Sequence, residues 1–422
     1  MDIITIALTL SLGLFGITLI KQCVYLFSAC LFSIKKLVIQ KKSYKYTRKQ
    51  LENWYKVSVA IPAWNEEVGI ISTIKSILNS DYGPVEIIVI NDGSTDKTAK
   101  RIRKFIKNKY RSNKSKYDGK RIIFIDHSRN HGKGTSLNSA IKRSTGNIII
   151  TTDADTIFEK NAITNAVRYF VNTDIEGVVG NVKVANTKTL VGLLQQMEYT
   201  LGFYLKRAHS LWNSEYIIGG AFGAFRKRVF KDIGYLDIKC KTEDIEFSTR
   251  MQSEGKKIFF AENAIAYTEG ASTLRGLFKQ RMRWKKGRFD TFIKHRKMFF
   301  STDKKHNKVL THFMMPLALI FDIELALEPI IMIVVFSIVF TYSSFGVIYL
   351  YLGITTFLLF LSYFFGSDRN NIKAFILAPI FGFLSYILTI CEIYAFWGSV
   401  LLFSKGSDIQ WQNWSRKGIQ NV

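Results

Sequence analysis

The chain has 422 residues, with 59 Lys or Arg against 33 Asp or Glu and a formal net charge of +26. That length allows one large domain with added elements. The basic charge falls in three clusters, at 35–56, 97–121 and 275–308. The first and third flank apolar runs, where attraction to anionic lipid headgroups accounts for them. The second reads as a solvated helix and loop, and no helix-turn-helix, zinc-finger or RNA-binding signature accompanies it. Nucleic acid is therefore excluded as a partner. The four cysteines, Cys23, Cys30, Cys240 and Cys391, show no CxxC spacing, which excludes a disulfide framework and a zinc site.

Apolar residues make up 48% of the chain and concentrate at its two ends. Ile3–Ile20 is almost entirely apolar, and Cys23–Ile34 continues in the same way. A span needs about 20 apolar residues, so residues 1–34 hold either one long tilted helix or a helical hairpin. They do not read as a cleaved signal peptide. The apolar stretch is too long, no basic segment precedes it, and no small-x-small site follows. Residues 35–56 carry eight Lys or Arg against one Glu. This basic juxtamembrane linker predicts that the region after it is cytosolic.

From Val57 the pattern alternates between strands and helices. Strands are predicted at Val57–Pro62, Val85–Asn91, Arg121–Asp126 and Asn147–Thr152. Helices are predicted at Glu66–Leu78, Thr95–Lys109, Gly134–Arg143 and about 160–171. Short β-branched strands alternating with helices predict a parallel sheet covered on both faces. The expected fold class is α/β, a Rossmann-like nucleotide-binding domain over 57–300 between helical membrane segments. After about Leu310 the chain is apolar again, in regions near 313–340, 345–365 and 374–403. The first contains Asp322, Glu324, Glu328 and Pro329, and such charges should face protein, water or the interface. The mildly basic loop 367–373 and the basic tail 404–422 both read as cytoplasmic. One span between them cannot satisfy both, so 374–403 is a hairpin, a re-entrant segment, or an exception to the charge rule.

Acidic residues mark the strand ends. Asn65-Glu66 follows the first strand, Asp92 ends the second, and Asp153 and Asp155 follow the fourth. Ligands of open α/β sheets bind beyond the carboxyl ends of strands, so these positions outline a nucleotide crevice. Asp92 can accept hydrogen bonds from a nucleobase or ribose, although Asn91-Asp92-Gly93-Ser94 also has the chemistry of a turn into a helix. Two carboxylates two residues apart at 153 and 155 suit a diphosphate and a hard divalent ion. Lys133, between two glycines at the start of a helix, can reach a phosphate there. Thr242-Glu243-Asp244 has the form of a helix start, where acids are favoured by the dipole. In Gln280-Arg281-Met282-Arg283-Trp284, the Arg283 guanidinium suits bidentate pairing with phosphate and Trp284 offers a face for a sugar ring. An interfacial helix with a snorkelling Arg and an anchoring Trp has the same composition.

Taken in order, Asp92, Asp153-Ala154-Asp155, Thr242-Glu243-Asp244 and Gln280-x-x-Arg283-Trp284 resemble the D, DxD, TED and QxxRW motifs of the processive membrane glycosyltransferases of family 2. The resemblance covers roughly residues 55–300. It implies a GT-A type domain, a UDP-linked sugar donor and Mg²⁺ or Mn²⁺ as cofactor. It further implies that Asp92 contacts uracil, that Glu66, Lys133 and Asp153 bind the donor, and that Asp155 is the direct metal ligand. Glu243 and Asp244 fall at the acceptor site, with Asp244 as base, and Gln280, Arg283 and Trp284 serve acceptor and diphosphate. The TED form and the stretch Gly220–Lys227 resemble the poly-β-1,6-N-acetylglucosamine synthases. The Pro379 segment and the Trp-rich tail resemble hyaluronan and chitin synthases as well, and cellulose synthases share TED and QxxRW. The expected partners are a UDP-sugar, a growing polysaccharide and membrane lipid, with room for accessory subunits. The expected location is the plasma membrane, multi-pass, with catalysis in the cytosol. A non-processive transferase acting on a lipid-linked acceptor shares the strand-end acids, and a non-catalytic sugar-binding export component would have lost them.

Overall fold

A computed structural model describes residues 3–110, 117, 119–343, 345–365, 372–407 and 418–419. In chain order, helix α1 (Ile3–Tyr44) and α2 (Arg48–Trp54) lead into strand β1 (Val57–Ala63). Then come α3 (Ile70–Leu78), β2 (Val85–Asp92), α4 (Thr98–Phe105), β3 (Lys120–His127), α5 (Lys133–Arg143) and β4 (Ile148–Thr151). The second half of the domain is β5 (Ile157–Phe158), α6 (Ala162–Arg168), β6 (Ile175–Val184), α7 (Leu190–Leu211), β7 (Gly223–Arg226), α8 (Lys227–Asp232), α9 (Glu243–Ser253), β8 (Lys257–Thr268) and α10 (Leu274–Lys294). Four apolar helices follow, α11 (Met315–Tyr342), α12 (Gly346–Phe365), α13 (Ile372–Leu384) and α14 (Tyr386–Ser404).

The strands form one eight-stranded sheet, ordered β3-β2-β1-β4-β7-β6-β8-β5. The first four pair in parallel, as their Val- and Ile-rich runs predict. The sheet as a whole is mixed, which corrects the expectation of a parallel one. β7 runs antiparallel to both β4 and β6, and β5 antiparallel to β8. The reason lies in the connection before β7. The chain leaves α7, passes through Gly219-Gly220, and enters the gap between β4 and β6 from the site end of the sheet. A four-residue strand carries too little periodicity to announce this in the sequence.

Ile61, Ile88, Ile90 and Ile149 fill the sheet's interior, with Tyr82, Tyr169, Phe170, Phe230 and Phe247 among the largest buried side chains. The N-terminal apolar region is one continuous helix rather than a hairpin, and the basic segment up to Tyr44 extends it. α1 is pinned to the domain at two points. Phe32 is fully buried and stacks on Phe259 at 5.4 Å. Lys35 Nζ donates to the carbonyls of Ser210 and Leu211, both at 2.8 Å, placing a cation at the C-terminal end of α7.

Three helical stretches are long and apolar enough to cross a membrane, Cys23–Tyr44, Leu310–Thr341 and Ile376–Ser404. The segment 374–403 is two helices that meet at the single residue Ser385. Most of the loop 367–373, and Arg416 and Lys417 of the tail, lie outside the described residues. Of the acids in α11, Asp322 pairs with Lys285 and Arg288 of α10, and Glu328 accepts from the Tyr386 hydroxyl at 3.1 Å. They face protein, as the cost of charge in lipid requires.

One buried acid ties α9 to the end of α10. Glu246 is fully buried and pairs with Arg250 at 3.0 Å, Lys294 at 2.7 Å and His295 at 3.2 Å. Burial works against its charge, but the bonds from His295 and Lys294 and the nearby Arg250 win and hold its pKa at about 2. The ionised carboxylate therefore stabilises the fold fully above the ordinary value of 4.5, and that contribution is lost as pH falls towards 2. Glu246→Gln should destabilise the protein by about 3 kcal/mol at pH 7, the low end for breaking a buried pair because Lys294 is half-exposed. Chemical denaturation in detergent should show that difference shrinking below pH 4.5.

Candidate active site

The site begins where β1 and β2 end. Asn65 adopts a left-handed conformation, φ 55°, and its carboxamide oxygen accepts from the Thr95 amide at 2.8 Å. The Glu66 amide donates to Thr98 Oγ1 at 2.9 Å. These bonds fold the loop after β1 onto the start of α4. Asp92 is buried, and its carboxylate accepts from the backbone amides of His131 at 3.1 Å and Gly132 at 2.8 Å, with His127 Nδ1 at 3.0 Å. A carboxylate holding two successive amides fixes the loop before α5. That loop sets Lys133 at the first position of its helix.

From there Lys133 reaches the fourth strand. Its Nζ lies 2.8 Å from Asp153 Oδ1 and 3.2 Å from Glu243 Oε1. Thr152 Oγ1 donates to the Ala221 carbonyl at 2.8 Å, tying the loop after β4 to the glycine segment before β7. The Gly220 amide donates to Asp244 Oδ2 at 2.7 Å. A methyl group added at Gly220 would stand 2.6 Å from Lys133 Nζ, 3.2 Å from Asp244 Oδ2 and 3.6 Å from Asp153 Oδ1. Three charged side chains from three elements thus converge on one backbone position that only glycine leaves open.

Electrostatics follow from that crowding. Burial works against the Lys133 ammonium, but Asp153, Glu243 and Asp244 around it outweigh burial and raise its pKa above the ordinary lysine value. Burial pushes the Glu243 carboxyl up, Asp244 adds to this, and Lys133 opposes it. Asp244 has one carboxylate oxygen on the Gly220 amide, and the Ile245 amide donates to the other at 3.0 Å.

Asp155 is buried beside Asp153 on the same loop, with Thr268 Oγ1 3.4 Å from its carboxylate. Among the described residues no group of three or more His, Cys, Asp or Glu is gathered as a metal cage. Mg²⁺ and ions like it usually take one or two carboxylates and complete their shell with substrate phosphates and water. The two hard oxygen donors after β4 fit that pattern.

Helix α10 borders the site beside the start of α9. A methyl group at Gly287 would stand 2.1 Å from Thr242 Oγ1, so α10 touches the start of α9 through a glycine. One turn earlier, Arg283 lies close enough for its charge to act on both Lys133 and Glu243. Gln280 is buried, and its Oε1 has no hydrogen-bond partner among the described residues. The Trp284 ring lies 6.4 Å from Tyr199 and 4.8 Å from the Arg281 guanidinium.

Residues 58–234 match the glycosyl transferase family 2 description, and residues 148–401 match glycosyl transferase family group 2. The second match takes in more than half of the chain. The chain belongs to glycosyl transferase family group 2. This family 2 glycosyltransferase is 33% identical over 250 residues to the poly-β-1,6-N-acetyl-D-glucosamine synthases of Staphylococcus epidermidis and Staphylococcus aureus strain COL. Those 250 residues are 59% of this chain and 57% of each relative, so the match spans little more than half the relatives' length. Among solved structures it resembles the mannosyltransferase PcManGT from Pyrobaculum calidifontis, described in complex with GDP-Man and Mn²⁺. The TM-score is 0.54 at 15% identity, over 90% of this chain and all of that one. At that identity the likeness speaks for the GT-A fold.

Of the residues expected from the sequence, Lys133, Asp153, Glu243 and Asp244 form one contact cluster, and Arg283 lies within its field. Asp155, Gln280 and Trp284 border it through the DxD loop and α10. Asp92 touches the cluster indirectly, through the loop that carries Lys133, and Glu66 stands on the neighbouring loop. Gly220 is not among the residues expected from the sequence, although the Gly219-Gly220 pair is a signal that could have pointed to it. Sequence reasoning also missed Gly287, Arg281 and Tyr199. Arg281 lies inside a recognised motif, but nothing in the sequence ties Tyr199 to Trp284, 85 positions away. Gly220→Ala should lower sugar transfer by about a hundredfold, the scale expected of a 1 Å misplacement of reacting groups. Its melting temperature should stay within a few degrees of wild type, since the added methyl meets side-chain ends; transfer assays and thermal unfolding read the two.

Proposed function

We propose that this glycosyltransferase is an inverting, processive polymerase. It builds poly-β-1,6-N-acetylglucosamine from UDP-N-acetylglucosamine on the cytosolic face of the membrane and passes the polymer out between its apolar helices. The observation that carries this reading is the convergence of Lys133, Asp153 and Asp244 on Gly220, with the Arg283-Trp284 turn beside it. It joins a donor side and an acceptor side in one crevice. The identity to poly-β-1,6-N-acetyl-D-glucosamine synthases supports the choice of sugar. The three spanning-length helices and the basic residues at 35–56 support the membrane setting and the cytosolic orientation.

In this reading Asp244 takes the proton from the acceptor hydroxyl as that oxygen attacks the anomeric carbon and UDP departs from the opposite face. A carboxylate fixed by the amides of Gly220 and Ile245 keeps its orientation through the step. Lys133 and Arg283 are the cations placed to balance the diphosphate. Glu243 holds Lys133 and lines the acceptor side. Glu66, Asp92 and Asp153 shape the donor pocket, Asp92 by fixing the loop beneath it. Asp155 would hold Mg²⁺ or Mn²⁺ together with the donor phosphates, and the ion would neutralise charge on the leaving diphosphate. Gln280 offers its open carboxamide oxygen to an acceptor hydroxyl, and Trp284 offers a ring face to the sugar.

Protein in nanodiscs with Mn²⁺ should release UDP and form high-mass product from UDP-N-acetylglucosamine alone, digestible by a β-1,6-specific glycosidase. A requirement for a second donor would replace this reading with a hyaluronan-type one. Short lipid-linked product would replace it with a non-processive one. Asp244→Asn should reduce turnover at least a thousandfold while UDP still binds; full activity in that variant would remove Asp244 as the base.

A further inference from the structure

Helix α10 carries two working faces. Gln280, Arg283, Trp284 and Gly287 recur at helical spacing on the face beside α9. Arg281, Lys285 and Arg288 recur at the same spacing on the adjoining face, and between them they meet acids from three other helices. Arg281 pairs with Glu198 of α7 and lies 3.2 Å from Glu392 of α14. Lys285 lies 2.8 Å from Glu392 and 3.0 Å from Asp322 of α11. Arg288 pairs with Asp322. The order Glu198, Arg281, Glu392, Lys285, Asp322, Arg288 is a chain of alternating sign whose charges cancel. Arg281 and Lys285 are buried. Asp322 and Glu392 belong to helices that carry spanning-length apolar stretches, where an unpaired acid is costly.

We propose that Glu198, Glu392 and Asp322 are positioning residues that clamp α10 in one rotation, and that Arg281 passes this constraint to Trp284, the ring that meets the acceptor sugar. The inference rests on the acceptor role proposed above for Trp284. Three observations carry it. A turn of α10 by one residue, about 100°, would break every pair in the chain. Arg281 pairs with two of the acids while its guanidinium lies 4.8 Å from the Trp284 ring. Tyr199, next to Glu198 on α7, flanks the same ring. The α10–α14 contact is close beside the clamp as well, where a methyl group at Gly398 would stand 2.0 Å from Met282 Cε, next to Arg281 on α10. The clamp therefore ties the ring beneath the sugar to the helices through which the polymer would leave.

The test compares Glu392→Gln, Glu392→Asp and wild type as full chains in nanodiscs with Mn²⁺. Initial rates are measured against UDP-N-acetylglucosamine and a β-1,6-linked N-acetylglucosamine tetramer, with product length on gels and amide hydrogen exchange by mass spectrometry. Glu392→Gln should raise KM for the tetramer at least tenfold and shorten the product, with KM for the donor within twofold of wild type. Exchange over residues 280–287 should quicken at least tenfold while β1, β2 and β4 stay protected. Glu392→Asp, which keeps the charge, should stay within threefold of wild type in all readouts. The clamp is overturned if Glu392→Gln leaves tetramer KM and α10 exchange unchanged, if donor and tetramer KM rise together with loosening of the whole sheet, or if Glu392→Asp is as impaired as Glu392→Gln. If wild type turns over no nucleotide sugar, the proposed function falls, and the exchange comparison alone decides whether the clamp exists.

Discussion

Six carboxylates, those of Glu66, Asp92, Asp153, Asp155, Glu243 and Asp244, are gathered around one end of a sheet, and the site exists because Lys133 stands among them. Carboxylates that crowded and partly buried repel one another and favour protonation unless a cation lies between them. Lys133 bridges Asp153 and Glu243, so a single ammonium joins the loop after β4 to the start of α9. Its own place is set by another acid, because Asp92 accepts the amides of the loop that leads into α5. One carboxylate thus organises backbone so that one lysine can organise the others. In the function proposed above, Lys133 and Arg283 are the positive groups that balance the charge of an entering diphosphate.

The second constraint is mechanical. The α/β domain and the apolar helices are joined by packing and by ion pairs as well as by the chain. α1 drives Phe32 into the domain core and closes the end of α7 with Lys35. α10 touches the start of α9 through Gly287 on one face and meets acids of α7, α11 and α14 on another. Charges that would be expensive in a bilayer are therefore useful here. Lys285 and Arg288 have half-buried partners in the apolar bundle, and those partners in turn have a reason to sit there. A site assembled in this way cannot shift far relative to the helices beside it.

Much of this was legible in the chain. Alternating β-branched runs and amphipathic stretches marked the four parallel strands and their helices, because a buried strand and a one-sided helix each leave a periodic trace. Strand-end acids pointed to the crevice, because topology places the carboxyl ends of parallel strands together whatever the side chains are. The limits have physical causes as well. β7 is four residues long and enters from the opposite direction, which no period reveals. The region 374–403 has uniform apolar composition, so its break at Ser385 left no trace in hydropathy.

The sequence by itself therefore determined the α/β class, the apolar flanks and which acidic, basic and aromatic residues were available for chemistry, since these depend on local pattern and on order along the chain. Tertiary structure alone decided that Gly220 and Gly287 are contact points, that Tyr199 lies beside Trp284, and that Arg281, Lys285 and Arg288 are matched by Glu198, Glu392 and Asp322. Each of those facts is a distance between elements far apart in the chain, and it arises from how helices and strands pack once their apolar faces are buried together.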